Sequence, residues 1–138
     1  MILIVDDYQD GAEALCRLLS RAGYRCQWIG SAREVLAFIR AYPPEQPLLV
    51  VMDDMMPEMT GVELLAAIRQ DPKISGTTVL MYSAGFDVEH RDKAMALGAA
   101  AWILKGGAVV NEVVKQIAHW YEKVGGISVL PGGGKGEE

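Results

Sequence analysis

Six side chains in this sequence could share one piece of chemistry. Asp6 and Asp7 end the apolar run "ILIV" (2–5), and Asp53 with Asp54 ends the run "LLVVM" (48–52). Ser83 closes "TVLMYS" (78–83), and Lys105 follows "AWIL" (101–104). Clustered carboxylates repel one another, and their pKa values rise unless a cation sits among them. An oxygen-rich site with room for water suits Mg²⁺, which combines one or two carboxylates with phosphate oxygens. A carboxylate beside such an ion can act as a nucleophile toward a phosphoryl group. The ion and an ammonium would then neutralise the equatorial oxygens of an in-line transfer, and a hydroxyl nearby could hydrogen-bond the product. Taken singly, an Asp after a strand is usually a helix N-cap, a Ser a turn residue and a Lys a solvated one. Only their convergence would carry the chemistry.

The elements that must position them alternate. "ILIV" and "LLVVM" are continuous apolar runs, as strands buried on both faces should be. "YRCQWI" (24–29) alternates and predicts a strand nearer the sheet edge, while "TVLMYS" and "AWIL" complete five strands. Between them lie helical patterns. One runs from about Gln9 to Ala22 with Ala12, Leu15, Leu19 and Ala22 on one face, stopped by Gly23. Ser31 with Glu34 predicts a capping box for a second, through about Arg40. Thr60 with Glu63 could cap a third, ending near Asp71-Pro72, and Asp87 a fourth, closed by Gly98. A fifth starts at Val109 or Asn111 and runs to about Lys123. Five strand–helix units in strict alternation imply an α/β fold with a parallel sheet and helices on both faces. In such sheets the ligand site lies beyond the carboxyl ends of the strands, at the switch point of strand order. Every one of the six side chains falls at a strand end.

Bulk properties agree with one ordinary domain. The chain has 138 residues, 51% apolar, with a net charge of −5. No basic face points to nucleic acid, and no apolar run is long enough for a membrane helix. "MILIVDD" lacks the charged start and cleavage site of a secretory signal. Cys16 and Cys26 lie outside any C-x-x-C or metal spacing, and are read as buried or half-buried thiols of a reducing compartment. The expected organisation is a folded domain over 1–124 and a Gly-rich tail or linker remnant over 125–138.

The whole pattern resembles the receiver domain of two-component response regulators, over residues 1 to about 124. The resemblance rests on "VDD" (5–7), on "DDMMPEMTG" (53–61) against D-x-x-M-P-x-M-x-G, on "SAG" (83–85) and on "LK" (104–105). The spacings from Asp7 to Asp53, Asp53 to Ser83 and Ser83 to Lys105 are 46, 30 and 22 residues, of the length the family shows. It implies a flavodoxin-like sheet of order 2-1-3-4-5 and a phosphoryl acceptor at Asp53. Asp7 would hold Mg²⁺ directly and Asp6 through water, with Asp53 and the backbone carbonyl of Met55 completing the protein ligands. Ser83 matches the switch hydroxyl, Ala84 the small residue beside it, Lys105 the lysine that pairs with a phosphoryl oxygen, and Trp102 the aromatic that changes rotamer. Asp54 falls on a variable position and is expected to point away. The implied protein is no enzyme beyond its own aspartyl phosphorylation and dephosphorylation. It would be a cytoplasmic switch or relay fed by a sensor histidine kinase or a histidine phosphotransfer protein, changing its α4-β5-α5 surface. It would be a monomer or a weak phosphorylation-dependent dimer, without direct nucleic-acid or membrane binding.

Two features bear on that reading. The family commonly follows its lysine with a cis proline, but here the sequence is "KGGA"; a cis bond before Gly106 would cost about 2.5–4 kcal/mol, so trans is expected. Pro57 ends the third strand, and Gly61 is expected to serve a positive φ. Met56 and Met59 would seat the loop as apolar fillers. The rivals are a receiver that binds partners without phosphorylation and a haloacid dehalogenase-type phosphatase. The second needs D-x-D, and Met55 stands where its acid would be. A flavin-binding domain would need a phosphate loop after the first strand.

Overall fold

The computed structural model describes residues 1–106 and 110–127. Five strands alternate with five helices: β1 Ile2–Val5, α1 Gln9–Arg21, β2 Cys26–Ile29, α2 Ala32–Ala41, β3 Leu49–Met52, α3 Gly61–Gln70, β4 Thr78–Ser83, α4 Val88–Ala96, β5 Ala101–Leu104 and α5 Val110–Lys123. All pairings are parallel, in the order β2-β1-β3-β4-β5. This is the doubly wound, flavodoxin-like arrangement expected from the strand–helix alternation. The strand edge prediction holds for β2, although its ladder begins at Cys26 rather than Tyr24. Residues 107–109 and the tail from 128 onward lie outside the described residues. Among the described residues, no helix is long and apolar enough to cross a membrane.

Alternation along the strands builds two apolar layers. Leu3, Val5, Val50, Met52, Val79 and Met81 face α2, α3 and α4, where Val35, Leu65, Ile68 and Ala94 meet them. Ile2, Ile4, Leu49, Val51, Leu80 and Ile103 face α1 and α5, against Leu15, Leu19, Val113 and Ile117. β1 and β3 are buried at every position, which is why they read as unbroken apolar runs rather than alternating ones. The ladder continues past the strand ends: Asp6 N–H donates to Ile29 O at 3.3 Å, Asp53 N–H to Val5 O at 2.8 Å and Lys105 N–H to Ser83 O at 2.8 Å. These bonds fix the backbones of the polar residues at one level along the carboxyl rim.

Helix starts show which local signals carry weight. Thr60 and Glu63 form the capping box, Glu63 N–H donating to Thr60 Oγ1 at 3.1 Å and Thr60 N–H to Glu63 Oε1 at 2.9 Å. Asp87 caps α4 by accepting from His90 N–H at 3.1 Å. The box expected at Ser31 and Glu34 does not form; no side-chain cap bond is made at Ser31, and α2 is held by its buried face of Ala32, Val35 and Ile39. Met56 is buried and Met59 packs against the same layer, as fillers should.

Gly61 is needed for a reason other than the expected one. Its φ is not among the positive values of the chain. Instead, a Cβ there would collide with the backbone carbonyl oxygen of Asp53 and crowd Met81. Gly61 N–H donates to Asp54 O at 2.7 Å, so α3 starts hard against the loop that carries the carboxylates. Gly106 is the opposite case: its φ is 74°, and nothing lies within 4 Å of a Cβ built there. No cis peptide occurs among the described residues, as expected for the bond before Gly106. Gly61→Ala should therefore destabilise by roughly 1–3 kcal/mol through overpacking against backbone. Gly106→Ala should cost only the left-handed strain of about 1–2 kcal/mol. Urea denaturation of both variants measures the two costs. The overpacked variant should also perturb ion binding at the rim, which the strained one should leave alone.

Candidate functional site

Four strand ends converge on one acidic rim. Asp6 follows β1 and is 5% exposed; Asp53 follows β3 and is 7% exposed. Asp7 is exposed beside them, and carboxylate oxygens of Asp6, Asp7 and Asp53 lie within 4.8 Å of one another. Lys105, after β5, reaches across with Nζ 2.6 Å from Asp6 Oδ2 and 3.2 Å from Asp53 Oδ1. The same ammonium sits 5.4 Å from the centre of the Tyr82 ring. Ser83, at the end of β4, is 2% exposed, and its Oγ accepts from Gly85 N–H at a long 3.3 Å. Ala84 and Met55 are exposed, Met55 in the loop directly after the aspartate pair.

The electrostatics follow from this geometry. Burial pushes the Asp53 carboxyl above the ordinary range; Lys105 works against that shift, while Asp6 and Asp7 add to it. Burial alone would lower the Lys105 ammonium, yet its hydrogen bond to Asp6 and the charge of Asp53 leave it raised. The site therefore holds more negative charge than one lysine balances. Three carboxylates converging in a small space are the donor set a hard divalent cation requires, and the residues fit Mg²⁺ on that chemistry. Asp6 is further held by partners on both sides. Tyr8 N–H donates to Asp6 Oδ1 at 2.9 Å, and the Trp28 indole N–H to Asp6 O at 2.7 Å. Trp28 comes from β2, and nothing in its local sequence marked it as a support for the rim.

Asp54 does point away from the acidic cluster, as expected of a variable position, but it is not a surface residue. It is 2% exposed. Its Oδ1 accepts from Val62 N–H at 3.3 Å, and its Oδ2 lies 2.6 Å from His90 Nδ1 on α4. A carboxylate only accepts, so Nδ1 carries the proton. This ties the loop after β3 to the first turn of α4. Trp102 is half-buried against the layer formed with α2–α4. Its indole nitrogen is the one buried side-chain polar atom without a partner among the described residues, which leaves a donor unmet at a price of roughly 1–3 kcal/mol. A hollow of ≈ 640 Å³, lined by Tyr42, Pro47, Ile74 and Thr78 among others, lies at the opposite end of the sheet. It gathers no carboxylate cluster.

A doubly wound sheet with an acidic cluster and a lysine at its carboxyl rim sets the class of fold, and likeness to known proteins narrows it. The family description "Response regulator receiver domain" matches residues 2–117. The chain belongs to that family. It is 31% identical over 104 residues to the transcriptional regulatory protein GltR of Pseudomonas aeruginosa, covering 75% of this chain and 42% of that protein. It is 32% identical over 104 residues to the DNA-binding response regulator MtrA of Mycobacterium tuberculosis, covering 75% and 43%. The match to protein RcaC of Microchaete diplosiphon is 26% over 119 residues, or 84% of this chain and 18% of that one. The chain thus spans less than half the length of these curated relatives. A CheY-like receiver domain structure from Methanospirillum hungatei aligns with TM-score 0.75 at 27% identity, covering 89% of this chain and 94% of that one. Vibrio cholerae CheY4 aligns with TM-score 0.73 at 27% identity, covering 84% and 93%.

The Asp54–His90 pair has a testable pH signature. The hydrogen bond to Asp54 raises the His90 imidazole above its ordinary range, against a smaller opposing effect of burial. A raised folded-state value means the pair's contribution is full below the unfolded value, about pH 6.5, and fades as pH rises through the folded value. Asp54→Asn should cost roughly 1–3 kcal/mol in mild acid. Melting curves from about pH 5 to pH 9 should show the gap between wild type and variant closing as pH rises. Asp53→Asn should do the reverse in the absence of divalent ions. It removes a buried charge whose carboxyl is pushed up, so its melting temperature should exceed that of the wild type at neutral pH.

Proposed function

We propose that the chain is a phosphorylation-controlled switch of two-component signalling in which Asp53 accepts a phosphoryl group. The observation that carries this reading is the buried Asp53 carboxylate, 3.2 Å from Lys105 Nζ and grouped with Asp6 and Asp7. Asp7, Asp6 (through water), Asp53 and the Met55 carbonyl would hold Mg²⁺. The bound ion supplies charge neutralisation to a phosphoryl group in flight. The donor is a phosphohistidine of a sensor kinase or phosphotransfer protein. The Asp53 carboxylate oxygen attacks phosphorus, the P–N bond breaks, and the imidazole leaves with the electron pair and takes up a proton. Lys105 holds an equatorial oxygen and releases part of its hold on Asp6 to do so. Ala84 leaves space for the group, which Ser83 Oγ then binds.

Switching has a physical path from there. Among the described residues, the hydroxyl of Ser83 is restrained only by a long bond from Gly85, so turning toward a phosphoryl oxygen loses little. Trp102 has an unmet indole N–H, so a rotamer that finds an acceptor is favoured over the present one. Asp54 and His90 join the acceptor loop to α4, and together these elements bias a two-state α4-β5-α5 surface. The switch works in the cytoplasm, as a monomer or weak phosphorylation-dependent dimer. Residues 1–124 form the receiver unit and 125–138 its tail or linker remnant. MtrA and GltR are named for DNA binding and transcriptional regulation, an output said of those longer proteins.

Incubation with Mg²⁺ and a small acyl phosphate should add the mass of one phosphoryl group to the intact protein. Asp53→Asn should abolish the addition, while Asp54→Asn should retain it. Mg²⁺ alone should raise the melting temperature of the wild type, and Asp7→Asn should lose that increase. An unmodified wild-type mass with unchanged tryptophan fluorescence would instead favour a receiver that works by contact alone.

A further inference from the structure

Cys16 and Cys26 stand ten residues apart in a sequence that offers no reason to pair them. The fold brings them together. Gly23, at φ 103°, reverses the chain after α1 so that β2 runs back along it. Both cysteines are half-buried, both pack against the apolar layer between α1, α5 and the sheet, and both line one open groove of ≈ 600 Å³ between α1 and β2. Each thiol acts on the other's titration, as side chains in direct reach do. They are free thiols, on the opposite face of the sheet from the Asp54–His90 contact and outside the acidic cluster.

We propose that Cys16 and Cys26 form a reversible intramolecular disulfide when the protein meets a peroxide. The roles within the pair are unequal. Cys26 lowers the Cys16 thiol from its ordinary range, with burial and Glu13 opposing. Cys16, then burial, pushes the Cys26 thiol up. Arg17 and Arg21 line the groove together with Glu13, and the lowering of the Cys16 thiol comes from Cys26 rather than from a cation. Cys16 is therefore the attacking sulfur and Cys26 the resolving one. The Cys16 thiolate attacks one peroxide oxygen, the O–O bond breaks, and hydroxide leaves and takes a proton as water, giving a sulfenic acid. The Cys26 sulfur attacks that sulfur, the S–O bond breaks, and a second water leaves with the Cys26 proton. Two thiols are oxidised by two electrons in total, and the peroxide is reduced to two waters. Thiol–disulfide exchange with a cellular dithiol reverses the step.

The consequence lies along β2. Trp28 lines the same groove and donates its indole N–H to Asp6 O, so a covalent bond at Cys26 stiffens the strand that supports one rim carboxylate. The test is oxidation of the full chain with hydrogen peroxide at modest excess, followed by intact mass and non-reducing peptide mapping. The expected result is a loss of two hydrogens, a fall from two titratable thiols to none, and one cross-linked peptide joining Cys16 to Cys26, all reversed by a dithiol. In Cys26→Ser, a dimedone adduct should accumulate on Cys16; in Cys16→Ser, position 26 should stay unlabelled at the same dose. Unchanged wild-type thiols, separate sulfinic acids, or cross-links only between chains would each overturn the proposal. The wild-type mass decides it even if a variant fails to fold.

Discussion

The ammonium of Lys105, lodged between Asp6 and Asp53, is the contact on which the acidic rim depends. Like charges this close repel, and removing one partner from a buried ion pair leaves the other uncompensated. Lys105 follows β5 and its ammonium reaches a residue after β1, so it passes the ends of β4 and β3. Small side chains at the end of β4, Ser83 and Ala84, leave it that path. The arrangement is balanced but not sated. Asp53 remains pushed up despite the lysine, which is the electrostatic condition for recruiting a further cation.

A second constraint concerns the loop between β3 and α3. Its two adjacent aspartates do different work because consecutive side chains at a strand end face opposite ways. Asp53 turns to the rim. Asp54 turns into the protein, accepts from Val62 N–H and meets His90. The backbone of Asp54 takes the Gly61 N–H, and Gly61 lies so close to the Asp53 carbonyl that no side chain fits. Asp53, the start of α3 and α4 are thus braced by one short segment. The loop that carries Asp53 is linked to the start of α4 through contacts already in place.

Much of this was legible in the sequence. β1, β4 and β5 fall on the ranges their apolar runs predict, and the rim residues sit where the runs end; for β1 and β3, buried at every position, burial on both faces leaves no alternative to a continuous apolar strand. The capping box at Thr60 formed, while that at Ser31 did not. A local signal of this kind is worth about 1 kcal/mol and yields to the packing of Val35 and Ile39. Gly61 was recognised as necessary but for the wrong cause, since close backbone approach leaves no mark distinguishable from a positive φ. Trp28, His90 and the neighbourhood of the two cysteines were silent. Each acts on a residue from another element, and no periodicity encodes such a partner.

What the sequence determined by itself was therefore the set of elements, the parallel sheet, and the residue types delivered to the carboxyl rim. These follow from patterns no longer than a helix or a strand. Tertiary structure decided which charges meet. Lys105 finds Asp6 across 99 residues and His90 finds Asp54 across 36. Such pairings depend on strand order and on distances of a few ångströms, across which Coulomb energies change severalfold, and only the folded chain sets those.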